Sequence, residues 1–277
     1  MRRIAALMAV CSLSACAPER AGPVATNNAP TFVSLNPCLD AILIEVAEAE
    51  QILALSHYSR DPSSSSIDVE RARAFGVTGG TAEEVLALEP DIVLASSFIA
   101  PTTRTAFERL GLRVETFGSP ATVEESLDQV RRMAELTGLE QAGDELAERI
   151  ATAPEQPTGA DFSALVWQPG QIVPGETTLI SEHLRWAGLS SHSSANGLGQ
   201  ADFVSLETLL ADPPDILLVA GDRPGQTHPL LDTQRGMMVA DFDTSLLFCG
   251  GPTIPKARER LSKVRAEFER NFKRAAQ

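Results

Sequence analysis

Two α/β lobes, each built on a parallel sheet and separated by a long helical stretch, form the fold class that this sequence predicts. Three observations carry it. From Pro30 onward, short apolar runs alternate with amphipathic segments, the pattern of strand–helix units with parallel strands. The alternation halts over residues 122–153, which read as helical with one break near Thr137-Gly138, and restarts after the proline-bearing "APEQPTGADF". The stretch "TAEEVLALEPD", beginning at Thr81, recurs as "SLETLLADPPD", beginning at Ser205, so each lobe holds one copy.

In chain order, "TFVSL" predicts a strand, followed by a helix over Cys38–Ala49, the strand "QILALS" and the polar loop "HYSRDPSSSS". A helix over Val69–Phe75, a short "VTGG" stretch, helix 82–88, strand "DIVLAS", helix 102–110 and strand "RVETFG" complete the first lobe, residues 31–137. The strands are nearly continuous in Val, Ile and Leu, as expected when helices cover both faces of a sheet. After a connecting helix over 138–154, the second lobe (155–277) is predicted to hold strand "SALVWQ", helices 178–187 and 205–211, strands "DILLVAG" and "SLLFCG", and a C-terminal helix from about 255. The sign-alternating "KARERLSKVRAEFERNFKR" reads as a solvated helix face.

The N-terminus "MRRIAALMAVCSLSAC" pairs two arginines with an apolar run too short to span a bilayer. Its ending Leu13-Ser14-Ala15-Cys16 resembles a bacterial lipobox, which implies a signal peptide over 1–15 and a lipid on Cys16; the alternative is a plain signal peptide. Residues 16–30 then read as a flexible tether. The chain carries 23 basic and 37 acidic side chains, a formal charge of −14. Losing Arg2 and Arg3 leaves 21 against 37, or −16, which excludes a basic footprint for nucleic acid. In an oxidising envelope compartment Cys38 and Cys249 are a candidate disulfide; the alternative is two separately buried cysteines.

The two copies, extended to Ala95 and Val219, match at seven of fifteen positions, including Glu83/Glu207, Leu86/Leu210, Pro90/Pro214 and Asp91/Asp215. Thr81 and Ser205 are natural N-caps, and Thr81-x-x-Glu84 fits a capping box. Leu86 and Leu210 are expected to supply core contacts, and the prolines to end the helices ahead of buried strands. Glu83 and Glu207 are left without a structural task beyond a first-turn carboxylate on the helix dipole.

"VSLNPCLDAIL", "TAEEVLALEPDIVLAS", "SLETLLADPPDILLVAG" and "FCGGPTIPKARERL" together resemble the iron-complex/cobalamin periplasmic-binding family, the substrate-binding proteins of type II ABC importers. The similarity covers nearly all of residues 31–270, in the family's order. It implies a class III substrate-binding architecture, two lobes joined by a single long rigid helix with modest lobe closure. It also implies a periplasmic, lipid-anchored monomer, touching the membrane only through its anchor, that performs no chemistry. Its ligand would be a siderophore, haem or cobalamin held between the lobes, with no covalent cofactor. The family's docking glutamates fall on Glu83 and Glu207, one per lobe, facing the two transmembrane subunits of the permease.

Ligand crevices in open parallel sheets lie at the carboxyl ends of the strands. That places Asn36, Pro37, Cys38, His57, Tyr58, Arg60, Ser97 and Phe98 of the first lobe among the candidates. The second lobe supplies Trp167, Gln168, Pro174, Gly175, Gly221, Asp222 and the Gly250-Gly251 turn. Tyr58 and Trp167 offer faces for a planar ligand, and Arg60 a partner for an anionic group; the alternatives are an Arg60–Asp61 ion pair and a core role for Trp167. His57 could serve as an axial ligand to haem iron or cobalt, or simply line the site. The chain lacks a nucleophile elbow, a phosphate-binding loop, an HExxH and a paired CxxC; "GLGQAD" has only part of a dinucleotide fingerprint. A bare Zn or Mn ion, which needs several converging His and carboxylate ligands, is the nearest competing cargo; a scaffold lipoprotein without a small-molecule ligand is the other rival.

Overall fold

The structure, a computed structural model, describes residues 29–152, 161–221 and 224–275. The signal peptide, Cys16 and Asp222 lie outside the described residues, as do most of the tether and the last two residues of the helix expected over 138–154.

The first half runs β1 (Phe32–Ser34), α1 (Pro37–Val46), β2 (Ile52–Ser56), α2 (Val69–Ala72), β3 (Val77–Thr78), α3 (Ala82–Ala87), β4 (Ile92–Ser96), α4 (Pro101–Arg109) and β5 (Val114–Phe117). These strands form one parallel sheet in the order β3-β2-β1-β4-β5. Helices cover both faces, so successive residues of a strand serve different cores. Phe32 packs with α1 on one face, while Val33 meets Val85 of α3 and Phe107 of α4 on the other.

Two helices follow, α5 (Val123–Thr137) and α6 (Glu140–Ala151), broken at Gly138, whose φ of 75° suits a left-handed helix end. Val130, Met133 and Ala134 of α5 and Leu146 and Ile150 of α6 pack together beneath the first sheet. The second half then runs β6 (Phe162–Trp167), β7 (Ile172–Val173), α7 (Leu179–Trp186), β8 (Leu189–Ser191), α8 (His192–Ala195), β9 (Asp202–Phe203), α9 (Leu206–Ala211), β10 (Ile216–Ala220), α10 (Leu230–Thr233), β11 (Met238–Phe242) and α11 (Ile254–Ala275). Its main sheet is parallel, ordered β11-β10-β6-β8, and β7 and β9 form a small antiparallel ribbon beside it.

One strand and one helix expectation are corrected in this half. The edge strand is β11, and "SLLFCG" is instead a 3-10 turn, Thr244–Leu246, running into a loop. The alternating pattern of β11, in which Val239 and Asp241 are exposed, is what an edge strand carries. The C-terminal helix is also more than a solvated face. Ala257, Leu261, Val264 and Phe268 of α11 enter the second core. Arg265 is buried, its guanidinium donating to the carbonyls of Ala187 and Gly188 just past α7, where the helix dipole favours a cation.

The repeated segments are α3–β4 and α9–β10. Thr81 and Ser205 cap them as expected, accepting the N–H of Glu84 and Thr208. Glu84 turns back to the Gly79 N–H (2.7 Å) and the Thr78 hydroxyl (3.0 Å), which hold its carboxyl below the usual range. The core contacts, however, come from Val85 and Leu209, both buried, one position before the expected leucines; Leu86 is exposed and Leu210 only half-buried. The duplicated aspartates have a matched task. Asp91 Oδ2 accepts the N–H and hydroxyl of Thr31 at 2.8 and 2.9 Å, and Asp215 Oδ2 accepts those of Ser163 at the same distances. Each aspartate thereby pins the neighbouring strand, β1 in one half and β6 in the other.

The two halves meet in one hydrophobic cluster, with Leu179 of α7 and Ile254 of α11 packed among α1, α5 and α6. Glu182 of α7 accepts the Val123 N–H at 2.8 Å and so caps α5 from across the junction. Cys38, in the first turn of α1, is disulfide-bonded to Cys249, with Cα atoms 5.0 Å apart.

Candidate ligand cleft

A cavity of about 510 Å³ opens between the halves at the carboxyl ends of the strands. The first half contributes Phe98 after β4 and Ser119, Pro120 and Ala121 after β5. The second contributes Gln168 after β6, Ile172, Val173 and Pro174, then Thr177 to Ile180 at the start of α7, with Gln200, Ala201, Leu247 and Phe248. No charged side chain lines it among the described residues. A niche of about 30 Å³ adjoins it, shares Ser119, Pro120 and Phe248, and has room for one water.

Of the expected ligand residues, Phe98, Gln168 and Pro174 line the cavity and Asn36 lines the niche. Asn36 is also the N-cap of α1, its Oδ1 accepting the N–H of Cys38 and Leu39, with Pro37 at the first helical position. His57 and Tyr58 sit on a 3-10 turn after β2, exposed and with ring centroids 4.0 Å apart, and neither lines the cavity. Ser97 is exposed beside Phe98, its N–H spent on the Phe117 carbonyl.

Two assignments, Trp167 and Gly250, are corrected, and two further candidates, Arg60 and Gly221, lie off the cavity wall. Trp167 is fully buried against Val173, Val204 and Leu209, and its indole N–H donates to the Val204 carbonyl at 2.9 Å, so it is core. Arg60 donates to the Phe75 carbonyl at 2.7 Å and lines neither the cavity nor the niche; Asp61 is satisfied by Ser63 and Ser64. Gly221 lies in a turn against Pro169 and Gln226 and is not among the residues that line the cavity. Gly250 is buried where any side chain would collide with Ser126 and Pro120, so it is a packing position.

Phe248 is the principal residue that sequence reasoning missed. It is 60 % exposed, lines both cavity and niche, and was hidden by reading "SLLFCG" as a strand. Thr177, Thr178 and Gln200 add uncharged hydrogen-bonding groups from loops that carry no periodic signal.

Two buried titratable groups lie on α1 and α7. Asp40 of α1 is fully buried; its Oδ2 accepts the Ser56 N–H at 3.0 Å and the Ser59 hydroxyl at 2.6 Å, and its Oδ1 has no partner. Burial pushes its pKa up from 3.8 to about 7, against the pull of these hydrogen bonds. It thus anchors the end of β2 and the turn bearing His57 and Tyr58. His183 of α7 is buried with Nδ1 unpartnered. Burial, aided by the Arg258 charge, lowers its pKa from 6.5 to about 3, so it is neutral in the fold.

A family model described as "Periplasmic binding protein" matches residues 32–243. Comparison with curated proteins gives no match by sequence. Among solved structures the chain is similar to the periplasmic heme-binding protein RhuT from Roseiflexus sp. RS-1 in apo form: TM-score 0.68, 20% identity, covering 87% of this chain and 98% of that one. It is also similar to the periplasmic heme-binding protein HutB of Vibrio cholerae (TM-score 0.66, 18% identity, 84% and 98% covered). The periplasmic vitamin B12 binding protein BtuF of Vibrio cholerae is a third such structure (0.64, 17%, 87% and 98%). At these identities the likeness is one of fold.

Proposed function

The chain belongs to the periplasmic binding protein family, and we propose that within it this protein is the substrate-binding component of an ABC importer. It captures an iron complex (siderophore or haem) or cobalamin between its lobes and delivers it to the permease. The family is one of binding proteins rather than enzymes, working in the periplasm or outside the cell. Anchoring through a lipid on Cys16, and action as a monomer, complete the reading.

The cleft itself carries the proposal. It lies at the strand ends of two parallel sheets, is walled by exposed Phe98 and Phe248, and offers Gln, Ser and Thr groups without a charge. Aromatic rings suit a large flat face, and neutral donors and acceptors suit amide-bearing cargo. Among the named cargoes this supports cobalamin ahead of haem, whose carboxylates would call for a cation. A bare Zn or Mn ion is the competing cargo and is tested alongside the others.

Thermal unfolding in the presence of cyanocobalamin, haemin, a ferric siderophore or Zn separates these readings. The true cargo at a hundredfold excess over its Kd should add about 2.7 kcal/mol. A curve moved by Zn alone would replace the proposal.

Docking falls to Glu83 and Glu207. Both are exposed, both occupy the first turn of a capped helix, and the α3–β4 and α9–β10 units that hold them are built alike. Two carboxylates on equivalent positions of two lobes match a permease of two like subunits. Glu83→Arg combined with Glu207→Arg should abolish uptake in cells while cargo affinity stays within about twofold of wild type, since the sites do not touch. Normal uptake would return both to solvated helix residues.

A further inference from the structure

The segment Leu247–Gly251 belongs to the second half of the chain, yet the first half holds it in place. Cys249 is bonded to Cys38 of α1. The Ser66 hydroxyl lies 2.9 Å from Cys249 Sγ and 3.3 Å from the Ser245 carbonyl, and the Thr244 hydroxyl donates to the Ser63 carbonyl at 3.2 Å. The Gly251 N–H donates to Ser126 Oγ of α5 at 2.7 Å. Leu247 and Cys249 are buried, whereas Phe248 between them presents its ring to the cleft. With both chain neighbours buried, the backbone from which the ring projects is held in place.

Phe98, across the cleft, is a contrast. It is 80 % exposed and lies on the loop before α4, tied locally by its N–H to Ser96 Oγ at 3.1 Å. One aromatic wall is therefore preorganised and the other is adaptable. Preorganisation strengthens binding because less side-chain freedom is lost when the ligand arrives.

We propose that Phe248 is the fixed ligand-contact residue of the cleft and that the Cys38–Cys249 bond is its positioning element. The partner surface is the flat apolar face of the cargo. This inference rests on the cleft being the ligand site, as argued above.

The test compares the wild-type protein with three variants: Phe248→Ala, Cys38→Ala with Cys249→Ala, and all three changes together. Affinity is measured by calorimetry for cyanocobalamin, haemin and ferrichrome. Phe248→Ala should weaken the probe that the wild type binds by about tenfold or more, the scale of a lost aromatic contact. The double cysteine variant should weaken it by about fivefold, yet cost less than about twofold when Phe248 is already Ala, because the two act through one contact. A bond that only stabilises the fold leaves affinity unchanged well below the unfolding temperature, and that result overturns the proposal. An equal loss on both backgrounds overturns it too. Reducing the bond with a phosphine in the already folded wild-type and Phe248→Ala proteins provides the same comparison should the double variant not fold.

If the wild type binds none of the three probes, the functional reading fails separately, and hydrogen exchange then judges the positioning. Amides of Leu247–Gly251 should exchange at least about tenfold faster without the bond, beyond whatever acceleration they share with the β10 amides through lower global stability. Acceleration in that segment no greater than the shared one overturns the inference.

Discussion

Replacing Cys38 and Cys249 together by alanine is expected to lower the unfolding free energy by about 3–5 kcal/mol, the largest effect foreseen for any surface-neutral change in this chain. The reason lies in the unfolded state. The bond closes a loop spanning a sequence separation of 211 residues. In the chain-entropy account, a loop of that size loses roughly 5 kcal/mol worth of denatured-state freedom, and native accommodation takes back part of it. For a chain of this length the loss corresponds to a fall in Tm of roughly 10 °C. Calorimetry of the purified pair, wild type and double variant, checks it. An unchanged Tm would mean that the linkage adds nothing to the hydrophobic contact already made by Leu179 and Ile254 across the junction.

Asp40 and His183 should impose opposite pH slopes on stability. Asp40 has a raised folded pKa, about 7 against 3.8, so between these values the native state holds a proton that the unfolded chain has released. Stability from this group therefore falls as pH rises from about 4 to 7. His183 has a depressed folded pKa, about 3 against 6.5, so below 6.5 the unfolded chain binds a proton that the native state refuses. Stability from His183 falls as pH drops from about 6.5 to 3. Each amounts to something on the order of 4 kcal/mol over its window, and between roughly pH 4 and 6.5 the two slopes offset. Wild-type stability should therefore owe little pH dependence to this pair there.

Single substitutions expose the halves of that balance. Relative to wild type, Asp40→Asn should gain stability steadily as pH rises from 4 to 7. His183→Gln should lose stability, relative to wild type, as pH rises from 3 to 6.5. Taking differences from wild type by urea denaturation at each pH cancels what the exposed carboxylates contribute. Profiles parallel to wild type would show that neither group changes its proton affinity on folding.

Much of the fold was legible because its signals are local. Runs such as "DIVLAS" and "DILLVAG" announce strands covered on both faces, and both became central strands, β4 and β10, with every residue from Ile92 to Ala95 and from Ile216 to Ala220 buried. Caps were equally readable, since a Thr or Ser three residues before a backbone N–H satisfies it wherever the helix lies. The phase of a short helix was not. In the six residues of α3 and α9 the helical period has less than two turns to declare itself, and the core took Val85 and Leu209 where the sequence suggested Leu86 and Leu210.

The cleft was legible only in part. Its rule, ligands at strand ends, found Phe98, Gln168 and Pro174, and the same rule proposed Trp167, which its sheet neighbours enclose, and Gly250, which Ser126 and Pro120 enclose. Whether an apolar residue at a strand end is wall or core depends on what packs over it, and that comes from distant parts of the chain.

The two α/β halves, the helical stretch between them, and the duplicated unit carrying Glu83 and Glu207 could be read from the residues alone. These follow from hydrophobic period, caps and repetition, which act between residues close in the chain. Three-dimensional packing was needed to join Cys38 to Cys249, to set Asp91 and Asp215 as clamps on neighbouring strands, and to turn Phe248 to the cleft. Those facts rest on contacts between segments far apart in sequence, where side-chain identity states what a residue could do and packing alone selects what it does.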